Sequence, residues 1–485
     1  MIEKFETVDG FIRFMGEISG ITGACLIVGL FLSVLSVNKN WKKPLPLVFK
    51  ILVGAFAVLL TGLIAAITVI SGRRRTVRKY KNLPGYGCVV KQLDSIAVLR
   101  RLEKGQEKDG NVSTPSIIKL PNGIIVSTSD RSDAGDITDV FWSRDDGKSW
   151  ELVSSLEGAF WCTVFLHQGA LHLAGCNGHY GRLMVTRSDD FGKTWGKRAV
   201  FGPENSHRSA TPVVVWRDRI WFCFDVKIGR VWPAFVMYVA SAPMGSDITD
   251  PSSWFVSEGL EFPKTSETWW WNYGFSGFLE GNMVVGPDDR LCVMARVHRF
   301  GGGTAAVMDV HETGEYLHDL RFVRFPGGAV KFSVKRDEKT GLYWSLVNTW
   351  DDSSYPGTVK TMPFKDMHAT RFRRFLTLTV SEDMVNWFPA RTIIGCEPGE
   401  AACYADFDFH GEDMLCMIRC GVIIDGVVPE YPAATNCMGF LRIHNFRSYG
   451  SKLLRNKTCE AAVYIDDKNE KKNPMDKENY LLLRS

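Results

Sequence analysis

Trp269, Trp270 and Trp271 stand side by side, with Tyr273 just beyond them and Glu280 further along the chain. Alternate residues of a strand point to opposite faces, so three consecutive indoles cannot all turn inward. The run therefore offers a platform on which a sugar ring can stack, with Trp271 as its representative, and it serves equally well as core packing. Other chemistries fail on spacing. The ten histidines are scattered without metal-ligand intervals, and the GGG at 301–303 lacks the Lys and Ser/Thr of a phosphate loop. Twelve cysteines contain no CxxC pair, and several lie in apolar strand-like stretches such as IWFCF (Cys223) and LCVMA (Cys292). A net charge of +4 over 485 residues, with no basic stripe among the aromatics, excludes nucleic acid as a partner. No metal or organic cofactor is implied.

The elements that must carry such a site are announced by a repeat. Residues 143–150 read SRDDGKSW and residues 188–195 read SDDFGKTW, both fitting S-x-D-x-G-x-[ST]-W. In this pattern the Asp accepts hydrogen bonds from turn amides, the Gly adopts a backbone angle that a β-carbon opposes, and the Trp packs beneath the loop. The interval between the two copies is that of one four-stranded blade. Weaker copies stand at 381–387 (SEDMVNW) and 250–254 (DPSSW). Between about 109 and 449, short apolar strands alternate with turn signals, as in SIIKL-PNG-IIVST, where Asn122-Gly123 marks a hairpin. Six blades fill that length.

The repeat is the Asp box, and the chain resembles the sialidase superfamily. The resemblance spans about 340 residues and implies an all-β, six-bladed propeller. The box by itself is a folding device that non-enzymes also carry. A sialic acid bears a carboxylate on its anomeric carbon, which calls for arginine forks and repels a carboxylate nucleophile. Sialidases accordingly use a tyrosine, activated by a glutamate, with a separate aspartic acid as proton donor.

Carried over residue by residue, the resemblance implies the following roles. Glu280, in GFLEGNMVVGPDDRLCVMAR, is the base, and Arg296 follows as a carboxylate-binding arginine. Arg373 opens RRFLTLTVSED, the strand into a box, with Arg371 and Arg374 as substitutes. Tyr404, in ACYADFDF, is the nucleophile. Arg131 and Asp136, in SDRSDAGDITD, match the arginine and acid/base aspartate of the second strand, with Asp133 and Asp139 as fallbacks for the acid. One motif departs. Where the family has an R-I-P arginine, this chain reads NVSTPSIIKLPNG and Ser113 holds the place. Arg208, in SHRSATP, is the expected stand-in. Losing one charge-assisted contact costs about 1.5–3 kcal/mol.

The amino terminus sets a further expectation. Apolar runs at 18–37 and 51–70 each have the length of a membrane-crossing helix. They imply a two-helix transmembrane hairpin ahead of the propeller, within an anchor of residues 1–81, and a two-pass membrane protein with the lipid bilayer as a partner. Lys39, Lys42 and Lys43 between the runs are outnumbered by Arg73, Arg74, Arg75, Arg78, Lys79 and Lys81 after them. This bias favours a cytoplasmic propeller, whereas a glycan substrate favours the opposite face. Residues 82–108 read as a linker and 450–485 as a last strand with a charged, disordered tail. The whole implies a retaining exo-α-sialidase-like glycoside hydrolase acting on a sialylated or other acidic glycan. The alternatives are a glycosidase or lyase for a different acidic sugar, and a non-catalytic carbohydrate-binding or scaffolding propeller.

Overall fold

The computed structural model describes residues 88–99, 112–131, 136–229, 235–263, 277–298, 303–349, 373–396, 400–422 and 435–450. All of them belong to the compact unit formed by Pro84–Ser485. Their strands form six separate antiparallel sheets in chain order. Blade 1 runs from Val112–Lys119 to Glu151–Glu157, and blade 2 from Phe160–His167 to Arg198–Phe201. Blade 3 lies between Ser206–His207 and Leu260–Glu261, blade 4 between Gly277–Val285 and Leu317–Arg324, and blade 5 between Ser333–Arg336 and Trp387–Gly395. Blade 6 starts with Ala401–His410 and takes its fourth strand from the other end of the described chain: Ser95–Leu99 pairs with Cys437–Ile443. The first strands of neighbouring blades touch one another, so each lies innermost. The expected six-bladed propeller is the fold observed.

Burial follows from that geometry. Inner and middle strands are covered on both faces by adjacent blades, so Ile137–Ser143 and Ala170–Cys176 are buried along their whole length. The outer strand Glu151–Glu157 buries only Leu156. Apolar side chains collect into six clusters, each of which fills one seam. Val126, Trp142 and Leu171 meet between blades 1 and 2, for example, and Ile117, Leu415 and Phe440 meet between blades 6 and 1.

The Asp boxes staple these seams. Asp145 Oδ1 accepts the Ser143 hydroxyl and the Ser149 amide, both at 2.9 Å, and Asp190 Oδ1 repeats this with Ser188 at 2.7 Å and Thr194 at 2.8 Å. These bonds, led by those from Ser149, hold the Asp145 carboxyl down at about 2. The two residues at the tip are left-handed, Asp146 and Gly147 in the first box and Phe191 and Gly192 in the second. The shortened box at 381–387 drops the glycine and keeps one left-handed residue, Met384 (φ 64°), with Asp383 still capping the amides of Val385 and Asn386.

Each full box then grips the outer strand of the preceding blade. Trp195 Nε1 donates to Ser154 Oγ, which donates to the Gly192 carbonyl. Trp150 Nε1, Ser95 Oγ and the Gly147 carbonyl repeat the arrangement at the seam of blades 6 and 1. Ser95 thus occupies in blade 6 the place Ser154 has in blade 1.

Residues 95–99, read as linker, are the outer strand that closes the ring, while the last strand expected within 450–485 lies outside the described residues apart from Gly450. The sequence of 95–99, SIAVL, carries the strand signal, but its distance from the rest of blade 6 hid the pairing. The two-pass membrane protein, its transmembrane hairpin and its bilayer partner are overturned as well. Among the described residues the helical stretches are the short Cys88–Gln92, the 3-10 turn Pro251–Ser253 and residues 447–450, and none is long and apolar enough to cross a membrane. That expectation rested on apolar length alone, in runs (18–37 and 51–70) that lie outside the described residues.

The seam at blade 1 allows a matched test. Gly123 and Gly147 have similar φ values, +89° and +92°, yet a Cβ at Gly123 meets nothing whereas one at Gly147 runs into the Phe440 ring. Gly123→Ala is expected to lose only the left-handed preference, about 1–2 kcal/mol. Gly147→Ala loses a further ~1–3 kcal/mol from overpacking. Urea unfolding of the two variants measures the difference.

Candidate active site

Four innermost strands share one irregularity. Their pairing slips between Ser113 and Ser116, between Phe160 and Thr163, between Leu279 and Asn282, and between Cys403 and Asp406. Each slip contains a non-glycine residue in the left-handed region: Thr114 (φ 48°), Trp161 (φ 56°), Glu280 (φ 56°) and Tyr404 (φ 55°). Bulky side chains adopt such angles only where the surroundings enforce them, and a bulge re-aims the side chain it carries. In blade 3 the inner strand is split outright, and Ser209 sits in the gap between Ser206–His207 and Val214–Trp216.

Two of these bulges meet. The Tyr404 hydroxyl donates to Glu280 Oε1 at 3.0 Å. Arg296 Nη1 donates to Glu280 Oε2 at 2.6 Å and to the Tyr404 oxygen at 3.2 Å. Ser209 Oγ donates to Glu280 Oε1 at 3.3 Å. Burial alone would raise the Glu280 carboxyl, which is 3% exposed. The adjoining Arg296 charge, aided by His207 and by hydrogen bonds from Arg296 and Tyr404, outweighs it and holds the group below its ordinary value. Glu280 is therefore an ionised acceptor. Arg296 is buried, which works against its charge, but Glu280 and Tyr404 keep it firmly protonated, and its Nε has no hydrogen-bond partner among the described residues.

The remaining expected residues fall into place around this core or outside it. Arg373 sets its guanidinium over the Tyr404 ring, 4.9 Å from the centroid, and donates to Cys403 Sγ. Arg374 instead bonds the Cys396 carbonyl. Asp136, half-buried with φ 45°, accepts the backbone N–H of His179 at 2.7 Å. Arg131 forms an ion pair with Asp139 at 2.6 Å, and Ser155 also donates to Asp139, so this fallback acid is part of a structural pair. Arg208 does not serve as the stand-in for the first arginine. It is 1% exposed and gives its terminal nitrogens to Thr163 Oγ1, Ala174 O and Thr211 O, inside the seam of blades 2 and 3. Trp271 and its neighbours, Asp133 and Arg371 lie outside the described residues.

An aromatic wall beside Asp136 has no counterpart among the expected residues. Trp161 packs against His179 at 5.0 Å, Tyr180 at 5.2 Å and His207 at 4.2 Å between ring centroids. His207 bonds Asp225 at 2.5 Å, and Asp225 Oδ2 accepts the Glu280 amide at 2.7 Å, so wall and carboxylate are joined by one buried network. These side chains come from the inner strands of blades 2 and 3 and from the turn after Ala170–Cys176, and left-handed angles at Trp161 and Tyr180 mark the wall. A further cation was also missed: Arg419 lies over the Tyr404 ring with its guanidinium carbon 4.8 Å from the centroid.

No protein-family model matches the chain, and none of the curated proteins is similar to it. Among solved structures, it is similar to the alpha-L-arabinanase of Penicillium chrysogenum complexed with arabinobiose, at 10% identity and TM-score 0.47, covering 72% of this chain and 98% of that one. It is also similar to the alpha-L-arabinofuranosidase Arb93A of Fusarium graminearum in complex with an iminosugar inhibitor, at 11% identity and TM-score 0.48, with coverages of 72% and 98%. The Trypanosoma rangeli sialidase is 13% identical, with TM-score 0.49 and coverages of 74% and 61%. Likenesses this slight carry no chemistry with them; the fold stands on its six sheets and the site on its own distances.

Asp130, the register partner of Ser113, generates a pH prediction. It is fully buried, and burial raises its carboxyl to about 8 despite a hydrogen bond from Thr138. The folded state thus holds a proton that the unfolded chain releases near pH 4. Stability from this group is complete below about pH 4 and declines as pH rises towards 8. Melting temperatures between pH 5 and 8 are expected to fall more steeply in the wild type than in Asp130→Asn, whose neutral amide has no proton to lose.

Proposed function

We propose that this protein is a retaining exo-glycosidase of sialidase type that removes a terminal acidic sugar. The observation that carries the reading is the 3.0 Å hydrogen bond from the Tyr404 hydroxyl to Glu280, with Arg296 bound to both groups. The Tyr404 oxygen attacks the anomeric carbon while its proton passes to Glu280. As the glycosidic bond breaks, Asp136 gives a proton to the departing oxygen. Arg296 stabilises charge on the phenol oxygen during attack and departure. In the second half, Asp136 takes a proton from water, the water oxygen displaces Tyr404 from the sugar, and Glu280 returns the proton to the phenol.

A phenol suits a substrate whose anomeric carbon carries a carboxylate, because it approaches without like-charge repulsion. Arg296 and Arg373 flank it from blades 4 and 5 and supply cations for that carboxylate. The aromatic wall from Trp161 to His207 offers apolar faces for the sugar. Ser113, in place of an arginine, favours a second reading in which the acidic sugar is not a sialic acid.

The test is turnover of 4-methylumbelliferyl N-acetylneuraminate alongside the corresponding glucuronide. Wild-type protein is expected to release the fluorophore from the sialoside, and Tyr404→Phe to lower kcat by about a thousandfold or more with an unchanged melting temperature. Cleavage of the glucuronide alone supports the second reading. Glycan binding without turnover, indifferent to Tyr404→Phe, contradicts both and leaves a carbohydrate-binding propeller.

A further inference from the structure

We infer that Lys331 is a positioning residue of the catalytic base: from blade 5 its ammonium braces the blade 3 turn that carries Ser209 and adds its charge to the field that keeps Glu280 ionised. This role rests on the glycosidase site just proposed and falls to a residue that no motif marks. Lys331 Nζ donates to the Ala210 carbonyl at 3.4 Å and to Ser333 Oγ at 3.3 Å. Ala210 has φ 44° and directly follows Ser209, whose hydroxyl donates to Glu280 Oε1. Blades 3 and 5, which flank blade 4, are thus joined beside its carboxylate.

A lock repeated between inner strands gives Lys331 its place. Ser116 Oγ accepts the Val164 amide of blade 2, and Thr163 Oγ1 donates to the Thr211 carbonyl of blade 3. Asp406 accepts the Ser116 hydroxyl and the Ile117 amide of blade 1. Asn282 does the same for blade 5, donating to the Phe332 carbonyl at 3.1 Å and accepting the Val334 amide at 3.0 Å. Two places before these four polar residues stand Thr114, Trp161, Tyr404 and Glu280. In blade 5 the same place, two before Ser333, belongs to Lys331. The lysine is therefore the blade 5 counterpart of the base and the phenol.

An ammonium that is 1% exposed, with two long hydrogen bonds and no carboxylate in ion-pair contact among the described residues, is destabilising. The charges around it are Asp406 of blade 6, Glu280 of blade 4, Lys335 of its own blade and Arg208 of blade 3. Asp406 is already held by Lys335 at 3.1 Å and by the blade 1 donors, which leaves Glu280 as the reactive acid within its field. Burial pushes the ammonium down to about 8, so it keeps its charge at neutral pH and below. Glu280 also faces Arg296, Arg373, Tyr404, His207, His298 and Asp225, all of which stay in place when Lys331 is changed. A methionine of similar length would fill the space without burying a charge, so stability does not account for the lysine.

Carbon NMR of protein labelled at the glutamate carboxyls follows the base directly, with the Glu280 signal assigned by its loss in Glu280→Gln. Lys331→Met removes both brace and charge, whereas Lys331→Gln keeps a donor for the Ala210 carbonyl and removes the charge alone. In both variants the Glu280 titration midpoint is expected to rise by about half to one pH unit. Turnover of the cleaved glycoside should lose about tenfold in kcat with KM unchanged, because Lys331 touches no substrate. Lys331→Met should also melt above the wild type, a gain that a lysine kept for packing would not give. A Glu280 midpoint unmoved in both variants overturns the inference, as does a loss confined to KM. Turnover with a midpoint indifferent to Lys331 removes this inference and leaves the glycosidase reading. A Lys331-dependent midpoint in a protein that cleaves neither glycoside removes the chemistry and leaves the hold of the ammonium on Glu280.

Discussion

A carboxylate that is 3% exposed must find a cation, and the Glu280–Arg296 pair is where this molecule meets that requirement. Breaking such a pair by removing one partner typically costs about 3–5 kcal/mol, because the other charge is left buried and alone. The pair joins the inner strand of blade 4 to its neighbour in the same sheet, and its shared nitrogen also reaches Tyr404 from blade 6. Blade order, bulge position and hydroxyl direction all have to agree for that one nitrogen to hold both groups. The ring closure by Ser95–Leu99 and the box staples maintain the blade spacing within which they agree.

The bulges show how the fold aims its chemistry. Glu280 and Tyr404 both stand in the left-handed region, where a β-carbon is disfavoured, at the same place in two inner strands. Thr114 and Trp161 do so in blades 1 and 2, beside the serine seat and at the head of the aromatic wall. The distortion is therefore a repeated property of the architecture. Different side chains at equivalent bulges place a carboxylate, a phenol and an indole on one scaffold.

How far the sequence foretold this depends on whether the signal was local. The boxes at 143–150 and 188–195 were plain because serine, aspartate, glycine and tryptophan all act within one turn. Glu280, Arg296 and Tyr404 were found by motif, and the structure brings their side chains together across two blades. Arg208 misled because its SHRSATP setting says nothing about the Thr163 and Ala174 acceptors that capture it from blade 2. Arg419 escaped notice for the mirror-image reason: it lies in an apolar strand, and only the pairing of that strand with the inner strand of blade 6 sets it against the Tyr404 ring. The strand at 95–99 was misassigned on the same ground, its partners lying more than 300 residues away. The membrane expectation drew on apolar length alone and did not survive among the described residues.

The most direct measurement is covalent capture of the reacting group. A sialic acid carrying fluorine beside the anomeric carbon and fluoride as the leaving group slows breakdown of a glycosyl-enzyme, and digestion with mass spectrometry then locates the attached sugar. The added mass is expected on the peptide containing Tyr404, and none in Tyr404→Phe. Attachment to another residue, or inactivation with no attachment at all, would contradict a nucleophilic phenol at the centre of this propeller.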